Sequence, residues 1–157
     1  THLVLQYLDF SNPDVTGQGA SLHQKALLTD QQAQAVEVRA LERFLASPLA
    51  DEIRKSSRVL REYRFTLLVD ARRYDPAAAE GETILLQGVV DCCFESGAGL
   101  TVVDFKTDRV TPQQQSQRAE GYRPQLEAYA LALGKVLEKD VSEKLLYFFH
   151  TNSTVKL

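Results

Sequence analysis

Apolar positions along this chain follow two periods, and the changes between them mark its elements. In "TDQQAQAVEVRALERFLAS", residues 29–47, they recur three and four apart, with Ala33, Val36, Ala40, Leu41, Phe44 and Leu45 on one stripe. That spacing predicts a helix packed on a sheet, opened by a capping box of Thr29 and Gln32. Ser47 before Pro48 starts a second, short helix over "SPLADEIRKS", because a serine oxygen caps free N–H groups and proline needs no partner at the first helical position. The opening "THLVLQYLDF" is apolar at residues 3, 4, 5, 7, 8 and 10 and fits a buried helix, while "NPDVTGQGAS" after it reads as a loop punctuated by proline and glycine. Past Pro124, "QLEAYALALGKVLEK" is apolar at 126, 130, 133 and 137 and predicts another helix.

Three stretches, "RVLREYRFTLLVD", "TILLQGVVDCCFE" and "LTVVDFKT", are rich in β-branched and aromatic residues and are separated by the turn-forming "ARRYDPAAAEGE" and "SGAG". They predict three consecutive strands in an antiparallel meander. "EKLLYFFHT" reads as a fourth strand, which a right-handed crossover through the preceding helix sets parallel to residues 100–106. The fold class is α/β, or α+β by a stricter count: a mixed, mainly antiparallel sheet with helices packed on it.

Composition narrows the class further. A chain of 157 residues is expected to form one domain, and 44% hydrophobic with 25% charged residues excludes disordered and fibrous classes. No apolar stretch approaches the ~20 residues of a membrane span and no charged-then-apolar leader opens the chain, so a soluble, cytoplasmic protein without a membrane partner is expected. Cys92 and Cys93 are adjacent in a predicted strand and point to opposite faces, which strains any bond between them. Two cysteines also make no structural zinc or iron–sulfur site. The formal charge of −3 argues against a freestanding nucleic-acid binder, since phosphate affinity comes largely from Lys and Arg. There is no P-loop pattern for ATP hydrolysis. Methionine is absent, Thr1 comes first and the chain stops in the β-rich "KLLYFFHTNSTVKL"; residues 1–157 are therefore expected to be a single domain cut from a longer protein.

Candidate chemistry concentrates in "GVVDCCFESGAGLTVVDFKTD", residues 88–108. If "SGAG" closes a two-residue turn at Gly97 and Ala98, Asp91 falls opposite Asp104. The strand period then puts Lys106 on their face and Phe105 on the other. Opposed carboxylates destabilise a sheet unless a cation lies between them. Two readings stand: a hard divalent cation held by the pair, or a salt-bridged cluster in which Lys106 neutralises one aspartate.

G-x-x-D at Gly88 to Asp91 followed by D-F-K-T at Asp104 to Thr107 resembles the core of the PD-(D/E)XK nucleases, in their RecB-like form. "YRPQLEAYALAL" is similar to the Q-x-x-x-Y helix of that family, with Gln125 and Tyr129 one turn apart. "THLVLQYLDF" resembles its helix bearing a metal-ligating histidine, here His2, and "VLREYRF" the strand before G-x-x-D, with Glu62 bordering the site. The likeness runs from residue 2 to about 150 and is closest to the nuclease domains of bacterial AddAB-type helicase–nucleases. It implies a restriction-endonuclease-like sheet and a metal set of His2, Asp91, Asp104 and the Phe105 carbonyl holding Mg²⁺, or Mn²⁺ in vitro, with no iron–sulfur cluster. By the same likeness Asp91, Asp104 and Lys106 are catalytic, and Glu62, Thr107, Gln125 and Tyr129 lie along the nucleic acid or behind the metal. The partners it implies are single-stranded DNA, a helicase portion of the same chain and an AddB-like partner protein, working in double-strand-break repair in the bacterial cytoplasm. Two alternatives remain at this point: a catalytically inactive docking domain of nuclease fold, and a stand-alone RecB-like nuclease of a phage or CRISPR system. Asp108, Arg109, Tyr122 and Arg123 flank the mouth of the site, outside the catalytic set, and His23, His150 and both cysteines are assigned to structure.

Overall fold

A computed structural model describes residues 2–97 and 99–157; Ala98, expected at a turn tip, lies outside them. The N-terminal third is helical: α1 (His2–Tyr7), α2 (Val15–Gln24), α3 (Asp30–Gln34), α4 (Val38–Leu45) and α5 (Pro48–Lys55). Strands β1 (Val59–Asp70), β2 (Thr83–Ser96) and β3 (Gly99–Lys106) follow, then α6 (Pro112–Val136), β4 (Val141–Phe148) and β5 (Ser153–Lys156). The sheet order is β1-β2-β3-β4-β5, with β3 and β4 parallel and the other pairs antiparallel. The meander and the parallel crossover thus form as the sequence predicts, and β5 adds a hairpin strand beyond them.

Local chemistry sets several boundaries. Thr29 accepts from the Gln32 N–H while the Gln32 side chain returns to Thr29, and Ser47 caps α5 ahead of Pro48. Three expectations need correction. Residues 12–21 are not all loop, because Asp14 caps α2 by accepting the Gly17 N–H, and Val15 and Leu22 are buried. A Cβ on Gly17 would collide with the Asp14 carboxylate, so this cap requires glycine there. The single helix over 29–47 breaks at residues 35–37, which lets α4 turn Ala40, Leu41, Phe44 and Leu45 onto the sheet while Ala33, Val36 and Val38 pack at its margin. The crossover helix starts at Pro112, capped by Thr111 and Gln114, and runs 25 residues through Pro124. Proline inside a helix removes a hydrogen bond and costs about 3 kcal/mol; burial of Ala119, Leu126, Ala132 and Leu133 on both sides of it offsets that cost.

Two apolar layers sandwich the sheet. Phe44 of α4 is the hub of one: its ring meets Phe10, Phe105 and Tyr147 edge-on at centroid distances of 5.3, 5.2 and 4.9 Å. The other layer sets α6 on Phe65, Val90, Cys93 and Val102 near one end and on Leu146 and Phe148 near the other. Cys92 and Cys93 fall in opposite layers, and burial pushes their thiols up to about 12 and about 11, so both are inert at neutral pH.

Candidate active site

The site forms where two ladders of the sheet are interrupted. The β1–β2 ladder pairs Arg61 with Cys92 and resumes with Tyr63 and Val90, leaving Glu62 and Asp91 facing each other unpaired. Both strands change step there. Tyr63, Phe65 and Leu67 pack toward α6 and so does Leu60; on β2, Val90 and Cys93, three apart, share that side. Strict alternation cannot put residues three apart on one face, so each strand carries one residue out of phase, as in a bulge. On β1 that residue is Glu62, with φ of +50°; a left-handed conformation costs a non-glycine residue on the order of 1–3 kcal/mol.

The β2–β3 ladder stops at the same level. Its pairs run from Ser96–Gly99 to Cys92–Val103, the register expected of a two-residue turn, and end one step before Asp91 and Asp104. A side chain replaces the missing bond: Asp91 Oδ2 accepts the Phe105 N–H at 2.8 Å. The Phe105 carbonyl accepts from His2 Nε2 at 2.6 Å, and that nitrogen lies 3.7 Å from Asp91 Oδ2. Helix α1 reaches this point because Arg61 Nη1 donates to the carbonyls of Leu5 and Leu8 at 2.9 and 2.6 Å, satisfying C-terminal acceptors of a short helix. The Arg61 guanidinium also lies over the Phe10 ring.

Asp104 and Lys106 project toward α6. Asp104 is 3% exposed, and Lys106 Nζ sits 2.6 Å from its Oδ2. That approach lies outside hydrogen-bonding directions, so Oδ2 is buried with an ion-pair neighbour and no directed donor. Lys106 Nζ donates to Gln125 Oε1 at 3.1 Å, and Gln125 Nε2 donates to the Tyr129 hydroxyl at 2.9 Å. Burial raises the carboxyls of both Asp91 and Asp104 above the usual aspartate value, more than their stabilising neighbours lower them. The Glu62 carboxylate adds to the rise at Asp91, and Asp91 adds to the rise at Asp104. Burial, then the Asp104 charge, pushes the Tyr129 hydroxyl up. Three acids therefore converge on Lys106 and His2, an arrangement whose cost falls when a cation joins it.

Of the residues predicted from sequence, the structure brings together His2, Asp91, Asp104, Phe105, Lys106, Gln125 and Tyr129, with Glu62 beside Asp91. Thr107 is exposed past the end of β3 and, among the described residues, makes no side-chain hydrogen bond to this group. Tyr122 and Asp108, expected only at the mouth, take a larger part. The Tyr122 ring covers Lys106 Nζ at 3.7 Å from its centroid. Its hydroxyl donates to Asp108 Oδ2 at 2.8 Å, and Arg118 bridges to Asp108 Oδ1 and to the Tyr122 hydroxyl, both at 3.0 Å. Burial raises the Asp108 carboxyl, but these bonds outweigh it and hold the group below its usual value. The signal that could have found Tyr122 is helical: Tyr122, Gln125 and Tyr129 are three and four apart and share a face. His23 pairs instead with Asp30.

Known proteins share this sequence. The family model described as the PD-(D/E)XK nuclease superfamily matches residues 2–156. An ATP-dependent helicase/nuclease of Acetivibrio thermocellus, through its larger nuclease-bearing chain, is 41% identical over 152 residues, covering 94% of this chain and 12% of that protein. The protein of the same name from Ruminiclostridium cellulolyticum is 34% identical over 160 residues, covering 99% and 13%, and that from Moorella thermoacetica is 38% identical over 158 residues, covering 94% and 11%. The chain thus spans a small part of the length of these curated relatives. No helix among the described residues is long and apolar enough to cross a membrane. With its mixed sheet, the paired aspartates at the ladder ends and a family match over nearly its whole length, this chain belongs to the PD-(D/E)XK nuclease superfamily.

Proposed function

We propose that this chain cuts single-stranded DNA by metal-dependent phosphodiester hydrolysis at Asp91, Asp104 and Lys106. The observation that carries this reading is Asp104 Oδ2, a buried carboxylate oxygen without a directed donor, at a point where two raised carboxyls meet. A divalent cation, Mg²⁺ or in vitro Mn²⁺, would be held by Asp91, Asp104, the Phe105 carbonyl and the His2 imidazole. Three oxygens and one nitrogen suit hard cations of this kind. Among the described residues no three His, Cys, Asp or Glu side chains form a metal-holding group by themselves, which fits a cation that keeps several waters. When bound, such a cation polarises the phosphoryl oxygen and lowers the pKa of a water.

The chain's own groups do the rest. Lys106, braced by Asp104, Gln125 and Tyr122, orients the attacking water and offsets charge that develops on the phosphate. Asp91 fixes the Phe105 backbone through its N–H. Gln125 and Tyr129 line the path of the strand, with Thr107 at the end of β3. Glu62 adds negative charge behind Asp91 and so favours cation uptake. The names of the relatives, and the small share of their length that the chain covers, support reading residues 1–157 as one nuclease domain of a longer chain. In that reading a helicase portion of the same chain feeds the strand by hydrolysing ATP, an AddB-like partner protein completes the complex, and the whole acts in break repair by homologous recombination in the bacterial cytoplasm.

The test is digestion of labelled single-stranded DNA with Mg²⁺, Mn²⁺ or EDTA, beside Asp104→Ala and Lys106→Ala variants checked for folding. Cutting that needs the cation and disappears in both variants is expected. No cutting, together with no rise in melting temperature on adding cation, would favour an inactive docking domain.

A further inference from the structure

We propose that a cleft at the start of α6 binds the nucleic-acid strand one or two nucleotides away from the cut phosphodiester; its distance from the cut, though not its binding, rests on the function proposed above. The cleft has a volume of about 460 Å³ and is lined by Arg109, Val110, Gln114, Gln117, Arg118 and Gly121. That is the scale of a small-ligand site, room for a nucleotide or two of single strand and too little for a duplex.

Its position follows from helical spacing. Gln114, Gln117, Arg118 and Gly121 lie three, four and seven residues along one face of α6, and the same stripe runs on through Tyr122 and Gln125 to Tyr129. A ligand in the cleft is therefore continuous with the group around Lys106, separated from it only by the Tyr122 ring and its Asp108–Arg118 brace. Arg118 is paired with Asp108, whereas Arg109 has no carboxylate partner among the described residues. An unpaired guanidinium with glutamine amides beside it recognises a phosphodiester and the polar edge of a base.

Gly121 is the independent observation. Glycine in a helix interior is less favourable than alanine by about 0.8–1.0 kcal/mol, and nothing in the chain requires it here, since no atom lies within 4 Å of the place a Cβ would take. What its missing side chain does is keep the floor of the cleft open beside Arg118.

Fluorescence anisotropy of a short labelled single strand, measured in EDTA so that no cutting intervenes, tests this with Gly121→Leu and Arg109→Gln. Gly121→Leu should keep or raise the melting temperature, because leucine is the better helix former, while weakening strand binding. Arg109→Gln should weaken binding about tenfold at low salt and lower the slope of log affinity against log salt by about 0.7, the loss of one phosphate contact on a single strand. A duplex, a mononucleotide and inorganic phosphate serve as competitors, and only unlabelled single strand should displace the probe efficiently. Unchanged affinity in both variants, no binding by the parent chain, or equal displacement by a mononucleotide would overturn the assignment. If the variants bind as expected but the parent cuts nothing with Mg²⁺, the cleft stands and the nuclease reading is the one that fails.

Discussion

Gly88 opens the G-x-x-D motif, and the structure gives it a physical task that a single substitution measures. A Cβ on Gly88 would lie 2.8 and 2.9 Å from two ring carbons of Phe65 and 3.2 Å from a ring carbon of Tyr129. Neither ring is free to yield. Phe65 is buried and meets Tyr129 edge-on at 5.9 Å, and Tyr129 is tied through Gln125 to Lys106. Two effects oppose each other in Gly88→Ala. Alanine restricts the unfolded chain and by itself stabilises by about 0.4–1 kcal/mol. Overpacking a filled core costs typically about 1–3 kcal/mol, and contacts this short against two braced rings put the cost in the upper half of that range. The net expectation is a loss of roughly 1–2 kcal/mol, read as a lower urea midpoint at unchanged slope. Phe65→Leu removes the closer ring, so the double variant should be more stable than the sum of the singles predicts, by about 1 kcal/mol or more. A Gly88→Ala chain that is more stable than its parent would refute the reasoning, since entropy would then act without any clash.

Three other outcomes follow from the interrupted ladders. Burial holds the folded-state pKa of Asp104 above the ordinary value of 3.8, so ionising it costs stability as pH rises from about 4 through the raised value; in EDTA, the melting-temperature advantage of Asp104→Asn over the parent should grow with pH across that window, and a constant difference would contradict it. Glu62 sits at a positive φ, so Glu62→Gly should be more stable than Glu62→Ala by about 1 kcal/mol in chemical denaturation, the reverse of the order expected inside a regular strand. Asp91→Asn keeps an acceptor for the Phe105 N–H while Asp91→Ala strands it, so in EDTA the alanine variant should be less stable than the asparagine variant by about 1–3 kcal/mol; equal midpoints would deny the bond.

What the sequence made legible was chemistry acting over a few residues. Thr29 with Gln32 and Ser47 with Pro48 announce their helices because a cap depends only on its own turn. The pairing of β2 with β3 was legible because a two-residue turn fixes register, and with it the convergence of Asp91, Asp104 and Lys106. The start of α6 was not, since Pro124 imitates a first helical residue; only burial of Ala119 and the bond of Gln115 to Ser153 of β5, 38 residues away, hold the upstream half in helix. Losing that half also hid Tyr122, which reaches Lys106 only if the helix already exists before Pro124. The change of step at Glu62 left no sign, because glutamate is not a residue that announces a left-handed backbone.

The carboxylates stand among apolar strands because the sheet has to end for a site to exist. Phe105 is flanked on one side by β4, in register with Tyr147, while on the other the β2 ladder has already stopped. Its N–H and carbonyl there would be buried without partners, which costs about 1–3 kcal/mol each. Asp91 takes the N–H and His2 takes the carbonyl. One answer comes from β2 itself and the other from α1, 103 residues away in sequence. The second contact holds only while Arg61 keeps the end of α1 on β1. The same residues that satisfy the broken sheet are those proposed to hold the cation, so folding and chemistry share one set of groups: the carbonyl and carboxylate that a regular ladder would have consumed are left facing the cleft, positioned by bonds that a cation can replace.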